Sequence, residues 1–180
     1  MTSTRQVGQN NKLHSTTGIS SSGGVGNIVS HNFVSNNIGS AINVGSSKET
    51  VVEYNEIVGG PRETLDSGAF YINGNNHFHR ATHVRYNYIH DIGSTSPRGI
   101  YFDDMLSGCY AYGNVLEGTY MQIHNGSENA VYNNLFIGHK NSISNSPNYY
   151  GVTETEGWPK RWFATSLDMG TMAAGLKSFY

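Results

Sequence analysis

From residue 26 to residue 146 the chain alternates apolar and polar positions in short runs, and one phrase keeps returning. It reads Val29-Ser30-His31-Asn32-Phe33-Val34, then Val52-Glu53-Tyr54-Asn55-Glu56-Ile57, Val84-Arg85-Tyr86-Asn87-Tyr88-Ile89, Ala111-Tyr112-Gly113-Asn114-Val115-Leu116 and Val131-Tyr132-Asn133-Asn134-Leu135-Phe136. The shared element is an asparagine inside a short alternating strand, at intervals of 23, 32, 27 and 20 residues. Such intervals mark a repeat with variable insertions rather than a strict period. A second strand follows each of the first four copies: Ala41-Ile42-Asn43-Val44, Ala69-Phe70-Tyr71-Ile72, Ile100-Tyr101-Phe102 and Tyr120-Met121-Gln122-Ile123. A weaker version stands at Ser142-Ile143-Ser144.

Strands this short, divided by Gly, Asn and Ser turns and without an amphipathic helix between them, cannot build βαβ units. Stacking remains: one coil per repeat, equivalent positions about 4.8 Å apart, strands pairing in parallel along the stack. A recurrent Asn suits this arrangement. Its amide can donate to one neighbour and accept from the other, forming a ladder, and Asn tolerates a left-handed backbone at a corner. The alternative, a β-sandwich with Asn marking its turns, does not require one residue type at one place five times. The expected fold is all-β, a parallel β-helix of about five coils.

Composition then narrows the partners. A chain of 180 residues fits one domain. Charged residues make up 13%, about half the usual share, while 22 Gly, 20 Asn and 12 Tyr are high for this length. With a net charge of -2 and no Lys/Arg cluster, nothing releases counterions from a phosphate backbone or holds an anionic membrane surface. No apolar run approaches the roughly 18 residues of a membrane span. Neither nucleic acid nor membrane is therefore an expected partner, and the composition sets no oligomeric state. Cys109, the single cysteine, cannot form an internal disulfide. Residues 1–24, Ser/Thr/Gly/Asn-rich and without the apolar run of a secretory signal, read as a flexible or partial-coil lead-in to a β-helix over 25–147. Residues 148–180 read as a capping segment. They carry Trp158-Pro159-Lys160-Arg161-Trp162-Phe163 and then, from Leu167 to Phe179, a helical stripe of Met169, Met172, Ala173, Leu176 and Phe179.

The repeat resembles the right-handed parallel β-helix repeat proteins of the pectin-lyase-like superfamily. The likeness is carried by Asp66-Ser67-Gly68-Ala69-Phe70-Tyr71, Val84-Arg85-Tyr86-Asn87-Tyr88-Ile89-His90-Asp91-Ile92, Gly99-Ile100-Tyr101-Phe102-Asp103-Asp104 and Val131-Tyr132-Asn133-Asn134-Leu135-Phe136-Ile137. It implies a right-handed helix and a polysaccharide-active, secreted protein, extracellular or periplasmic at full length. The fold itself hosts hydrolases, lyases, epimerases, esterases and inert adhesins. Asp103-Asp104 is similar to the paired acids of polygalacturonase-type hydrolases, although that family's Gly-His-Gly and Arg-Ile-Lys signatures are absent here. Gly-Ile-Tyr-x-Asp-Asp is closer to β-helix glycosidases of the α-fucosidase and xylanase kind. In the resembling proteins a Trp-containing tail of this sort continues further, so the chain reads as a piece of a longer one.

Aligning the second strands assembles a candidate site that no single motif shows. With Val44, Ile72, Phe102 and Ile123 inward, the period of two sends two columns outward: Asn43, Tyr71, Tyr101, Gln122 and Gly45, Asn73, Asp103, His124. Tyr rings on an open face offer apolar surface to a sugar, while Asn73, Asp103 and His124 bond hydroxyls or move protons. Asp66, Asp103 and Asp104 are the candidate acids, because glycoside hydrolysis uses two carboxyl groups about 5 to 9.5 Å apart. Asp103-Asp104 also reads as a strand-end turn or as a calcium site, which leaves calcium as the one cofactor to weigh beside none. His124, above Asp103, is the leading histidine. His90 falls beside Glu117 of the next coil, and its structural reading is a satisfied histidine. A zinc reading of His77, His79 and His83 fits no standard spacing. Arg98 leads into the Asp-bearing strand, as a lyase would want, yet Lys is nearly missing from the repeat. The expected activity is hydrolysis of a polysaccharide or oligosaccharide, with catalytic Asp103, Asp104, Asp66 and His124. Substrate contacts would come from Tyr71, Tyr101, Asn73, His90 and Arg98. The alternatives are a polysaccharide lyase and a non-catalytic sugar-binding or fibre β-helix.

Overall fold

The computed structural model describes residues 17–62, 64–74, 81–124, 126 and 128–138, together with the backbone of two later strands. In chain order the strands are β1 (Ile19–Ser22), β2 (Ile28–Ser30), β3 (Phe33–Ser35), β4 (Ile42–Gly45), β5 (Val51–Glu53), β6 (Glu56–Val58), β7 (Phe70–Asn73) and β8 (His83–Arg85). They continue as β9 (Tyr88–His90), β10 (Arg98–Asp103), β11 (Tyr110–Tyr112), β12 (Val115–Glu117), β13 (Tyr120–His124), β14 (Ala130–Ile137), β15 (Ile143–Ser146) and β16 (Thr165–Asp168). No helix occurs among the described residues.

The chain returns to the same ladders at every repeat. One parallel sheet runs β1-β4-β7-β10-β13-β15. A second holds two parallel ladders, β2-β5-β8-β11 and β3-β6-β9-β12, which both end on the long strand β14; β16 pairs with β14 as well. The molecule is therefore all-β with parallel sheets. β1 lies in the stretch read as a lead-in and is paired along its length with β4. Leu167, expected near the start of a helical stripe, stands in β16 instead. The rest of that stripe, the Trp158-to-Phe163 patch and the His77-to-Arg80 insertion lie outside the described residues.

The period of two explains the core. In the first sheet Ile42, Phe70, Ile100 and Met121 stand in register, as do Val44, Ile72, Phe102 and Ile123. From the other ladders come Val52, Val84, Ala111 and Val131, and Ile57, Ile89, Leu116 and Phe136. All are buried in a single cluster. At about 1.5–3 kcal/mol for each large side chain, these four columns supply most of what holds the stack together, because no disulfide contributes.

The asparagine ladder is present; Asn32, Asn55, Asn87 and Asn114 stand at corners between strands, and Asn134 lies within β14. Nδ2 of Asn32, Asn55, Asn87 and Asn114 donates to Oδ1 of Asn55, Asn87, Asn114 and Asn134 in turn, at 2.8–3.0 Å. The same acceptor oxygens take the backbone N–H of the preceding layer's Asn. The left-handed backbone falls on the residue before the Asn: His31, Tyr54, Tyr86, Gly113 and Asn133 all have φ between 52° and 66°. The bend thus leaves the Asn amide free to face along the stack. His31, Tyr54 and Tyr86 stack ring on ring at 5.2 and 5.3 Å. Gly113 is glycine because a Cβ there would lie 2.6 Å from the Tyr86 ring.

Candidate functional site

The first expected column exists, and of the second the Asn73–Asp103 pair stands in register. Asn43 is in register with Tyr71, Tyr71 with Tyr101 and Tyr101 with Gln122; Asp103 faces Asn73 across β7 and β10. The face is less open than expected. Tyr71 is partly exposed, but Tyr101 and Asp103 are only 3% and 4% exposed, and Gln122 is buried as well. A loop over residues 64–68 lies against this column: Arg98 Nη1 donates to the carbonyl of Leu65, and Ser67 Oγ bonds Ser40 Oγ at 2.5 Å. A Cβ at Gly68 would come within 2.9 Å of the Tyr101 Cβ, so only glycine permits the approach. The two tyrosines meet edge to face at 5.4 Å and 62°. Tyr71 alone of the pair keeps exposed surface.

Asp103 is the centre of the site. Its Oδ2 accepts the Tyr71 hydroxyl at 2.8 Å, and its Oδ1 accepts the Asp104 backbone N–H at 2.9 Å and lies 2.7 Å from Nδ1 of His124. The Asp103 carboxylate also acts on the Tyr101 hydroxyl. Burial pushes both tyrosine hydroxyls far above their ordinary pKa, and the hydrogen bond to Asp103 pushes them further. These hydroxyls are donors, not bases. The chain then turns through two consecutive left-handed residues, Asp104 at φ 49° and Met105 at φ 60°. Non-glycine residues in that region cost about 1–2 kcal/mol each. The turn is held by N–H bonds from Met105 to the His124 carbonyl and from Leu106 to the Asp103 carbonyl, both 3.1 Å.

The strained turn keeps the Asp104 carboxylate beside Asp103 and His124. Asp104 is half-buried, with Asn73 Nδ2 3.5 Å from its Oδ2. Asp66 is exposed on the covering loop, and its charge, like those of Asp103 and Asp104, acts on Tyr71. Arg98 has its Nε–H on Gln122 Oε1 and its guanidinium 4.8 Å over the Tyr101 ring. Gln122, in the column but given no role by the sequence, orients Arg98.

His90 does not join this group. It belongs to β9 in the other sheet, between Asp91 at 2.8 Å and Glu56 at 3.2 Å, stacked on Tyr88 at 4.1 Å. Glu117, expected beside it, instead accepts the Tyr88 hydroxyl.

One ligand atom each from Asp103, Asp104 and His124 lie within 4.8 Å of one another, close enough for a cation. The donor set fits calcium poorly: the ion takes six to eight oxygens, whereas one donor here is an imidazole and the Asp103 oxygens already carry hydrogen bonds. Compared with protein-family models, curated proteins and solved structures, the chain matches none.

Proposed function

We propose that the chain is a right-handed parallel β-helix of about five coils, of the pectin-lyase-like kind, and that its β7-β10-β13 face hydrolyses glycosidic bonds of a polysaccharide or oligosaccharide. The parallel ladders, revisited once per repeat, support the helix, and crossovers between parallel strands of one sheet are right-handed in about 98% of cases. The activity rests on one observation. Tyr71, Tyr101 and His124, from three neighbouring layers, converge on the buried carboxylate of Asp103, with a second carboxylate next to it on a strained turn.

That convergence assigns the roles. Asp103, buried and surrounded by donors, is a positioning residue: it fixes the His124 ring and the Tyr71 hydroxyl. The reacting carboxyl groups are then Asp104 and Asp66, the two that keep solvent-facing oxygens. One gives a proton to the leaving glycosidic oxygen; the other takes a proton from the attacking water or attacks the anomeric carbon itself. His124 relays or orients the proton at this step, Asn73 and Tyr71 hold the sugar, and Tyr101 with Arg98 stiffens the floor. On this reading the working protein acts in an extracellular or periplasmic setting.

Elimination fits less well, because the tyrosines are locked as donors and Arg98 is engaged by protein acceptors. The test is to replace Asp66 and Asp104 by Asn, singly. Hydrolysis predicts loss of turnover, on the order of 10²–10⁴-fold, with glycan binding kept. Equal loss of binding and turnover indicates a sugar-binding module instead.

A further inference from the structure

Resting on the glycan reading of this face, we infer that its ligand is a neutral or amino-bearing glycan and that uronate-containing chains are rejected. Asp103 accepts the Tyr71 hydroxyl, Asp104 lies beside it next to Asn73, and Asp66 is exposed on the covering loop, so three carboxylates share the ground over which a sugar would lie. Among the described residues Arg98 and His124 accompany them, and each is turned to a protein partner. A guanidinium grips a substrate carboxylate with a fork of adjacent N–H groups. In Arg98, Nε is directed to Gln122, Nη1 to the Leu65 carbonyl, and the plane lies over Tyr101. His124 turns Nδ1 to Asp103, so any charge on its ring is met by that carboxylate at 2.7 Å. A uronate carboxylate entering here would meet Asp66 and Asp104, and among the described residues the charge facing them is that of Arg98, whose Nε and Nη1 are already engaged by neutral acceptors. Hydroxyl and ammonium groups, by contrast, would find acceptors in both.

The expected discrimination is at least about tenfold per opposing charge at contact range, shrinking as salt is raised. The test uses matched oligosaccharides that differ only at C6: galactan against galacturonan, and glucan against glucuronan, with chitosan as the amino-bearing arm. Binding is measured by calorimetry on the full chain and on Asp66→Asn, whose side chain lies on an exposed loop outside the core, and on Asp104→Asn. The neutral or amino form should bind at least about tenfold tighter than the uronate, and each Asn variant should narrow the gap. Tighter binding of the uronate form overturns the charge inference and leaves the glycan reading standing. Absence of binding to every member of the panel overturns both.

Discussion

His124 Nδ1 lies 2.7 Å from Asp103 Oδ1, across 21 residues of sequence and one step of the first sheet. The pairing follows from the stacked strands: Phe102 and Ile123 are in register below it, both pointing into the core, so the next residue of each strand points outward together. Tyr71 completes the set from the layer on the other side. A backbone repeat thus delivers a hydrogen-bonded carboxylate, imidazole and phenol without any of them being close in sequence.

If Asp103 works through His124, removing either should disable the same unit. Asp103→Asn and His124→Gln are each expected to lower kcat by about 10²-fold or more with KM little changed, and the double variant to be no worse than the poorer single one. Multiplying losses would mean two independent roles.

The asparagine ladder makes a stability prediction that depends on position. Asn87 is 2% exposed and bonded to the layers on both sides, whereas Asn32 is partly exposed and bonded to one. Each buried partner left unsatisfied costs about 1–3 kcal/mol. Asn87→Ala should therefore lower the denaturation free energy by about 2–5 kcal/mol, and Asn32→Ala by about 1–2. Equal effects in urea denaturation would deny the ladder its role.

His90 predicts a pH effect away from the site. Burial opposes the charged ring, but hydrogen bonds to Asp91 and Glu56 outweigh it and raise the pKa above 6.5. Among the described residues, Tyr88 on the same strand stacks on His90 and donates to Glu117 of β12, so both also face this cluster. Because the folded-state value is raised, the stabilisation is complete below the ordinary value and is lost as pH rises through the higher one. Relative to His90→Gln, the wild type should gain thermal stability at about pH 5.5 and lose that advantage by about pH 8.5, with salt shrinking the difference. An advantage that grows with pH would contradict the assignment.

The repeat, the register and the ladder were legible because each depends only on period and residue type. The columns through Tyr71 and Tyr101 and through Asn73 and Asp103 follow from inward Ile72 and Phe102 alone. The burial of Tyr101 was not legible, since Gly68 of the 64–68 loop lies against it and alternation says nothing of where a loop lies, nor was that of Asp103, whose carboxylate is enclosed by Tyr71 and His124. The left-handed residue was misassigned by one place: Asn is a common left-handed residue, but here its amide serves the ladder while His31, Tyr54 and Tyr86 take the bend. Register put Glu117 beside His90, yet the Tyr88 hydroxyl captured it.

The carboxylates should act without a metal. Added calcium or EDTA is expected to leave the melting temperature and turnover unchanged, because the Asp103 oxygens are already hydrogen-bonded. A calcium-dependent rise in melting temperature would show that a cation binds the folded state.

The account stands most directly on product analysis. The chain is incubated with a panel of neutral, amino and uronate glycans, while new reducing ends and the ultraviolet absorbance of unsaturated uronates are followed. Reducing ends released from a neutral or amino glycan, with no unsaturated product, are the predicted result. Unsaturated product, or no cleavage of any glycan, would contradict hydrolysis at the face built around Asp103.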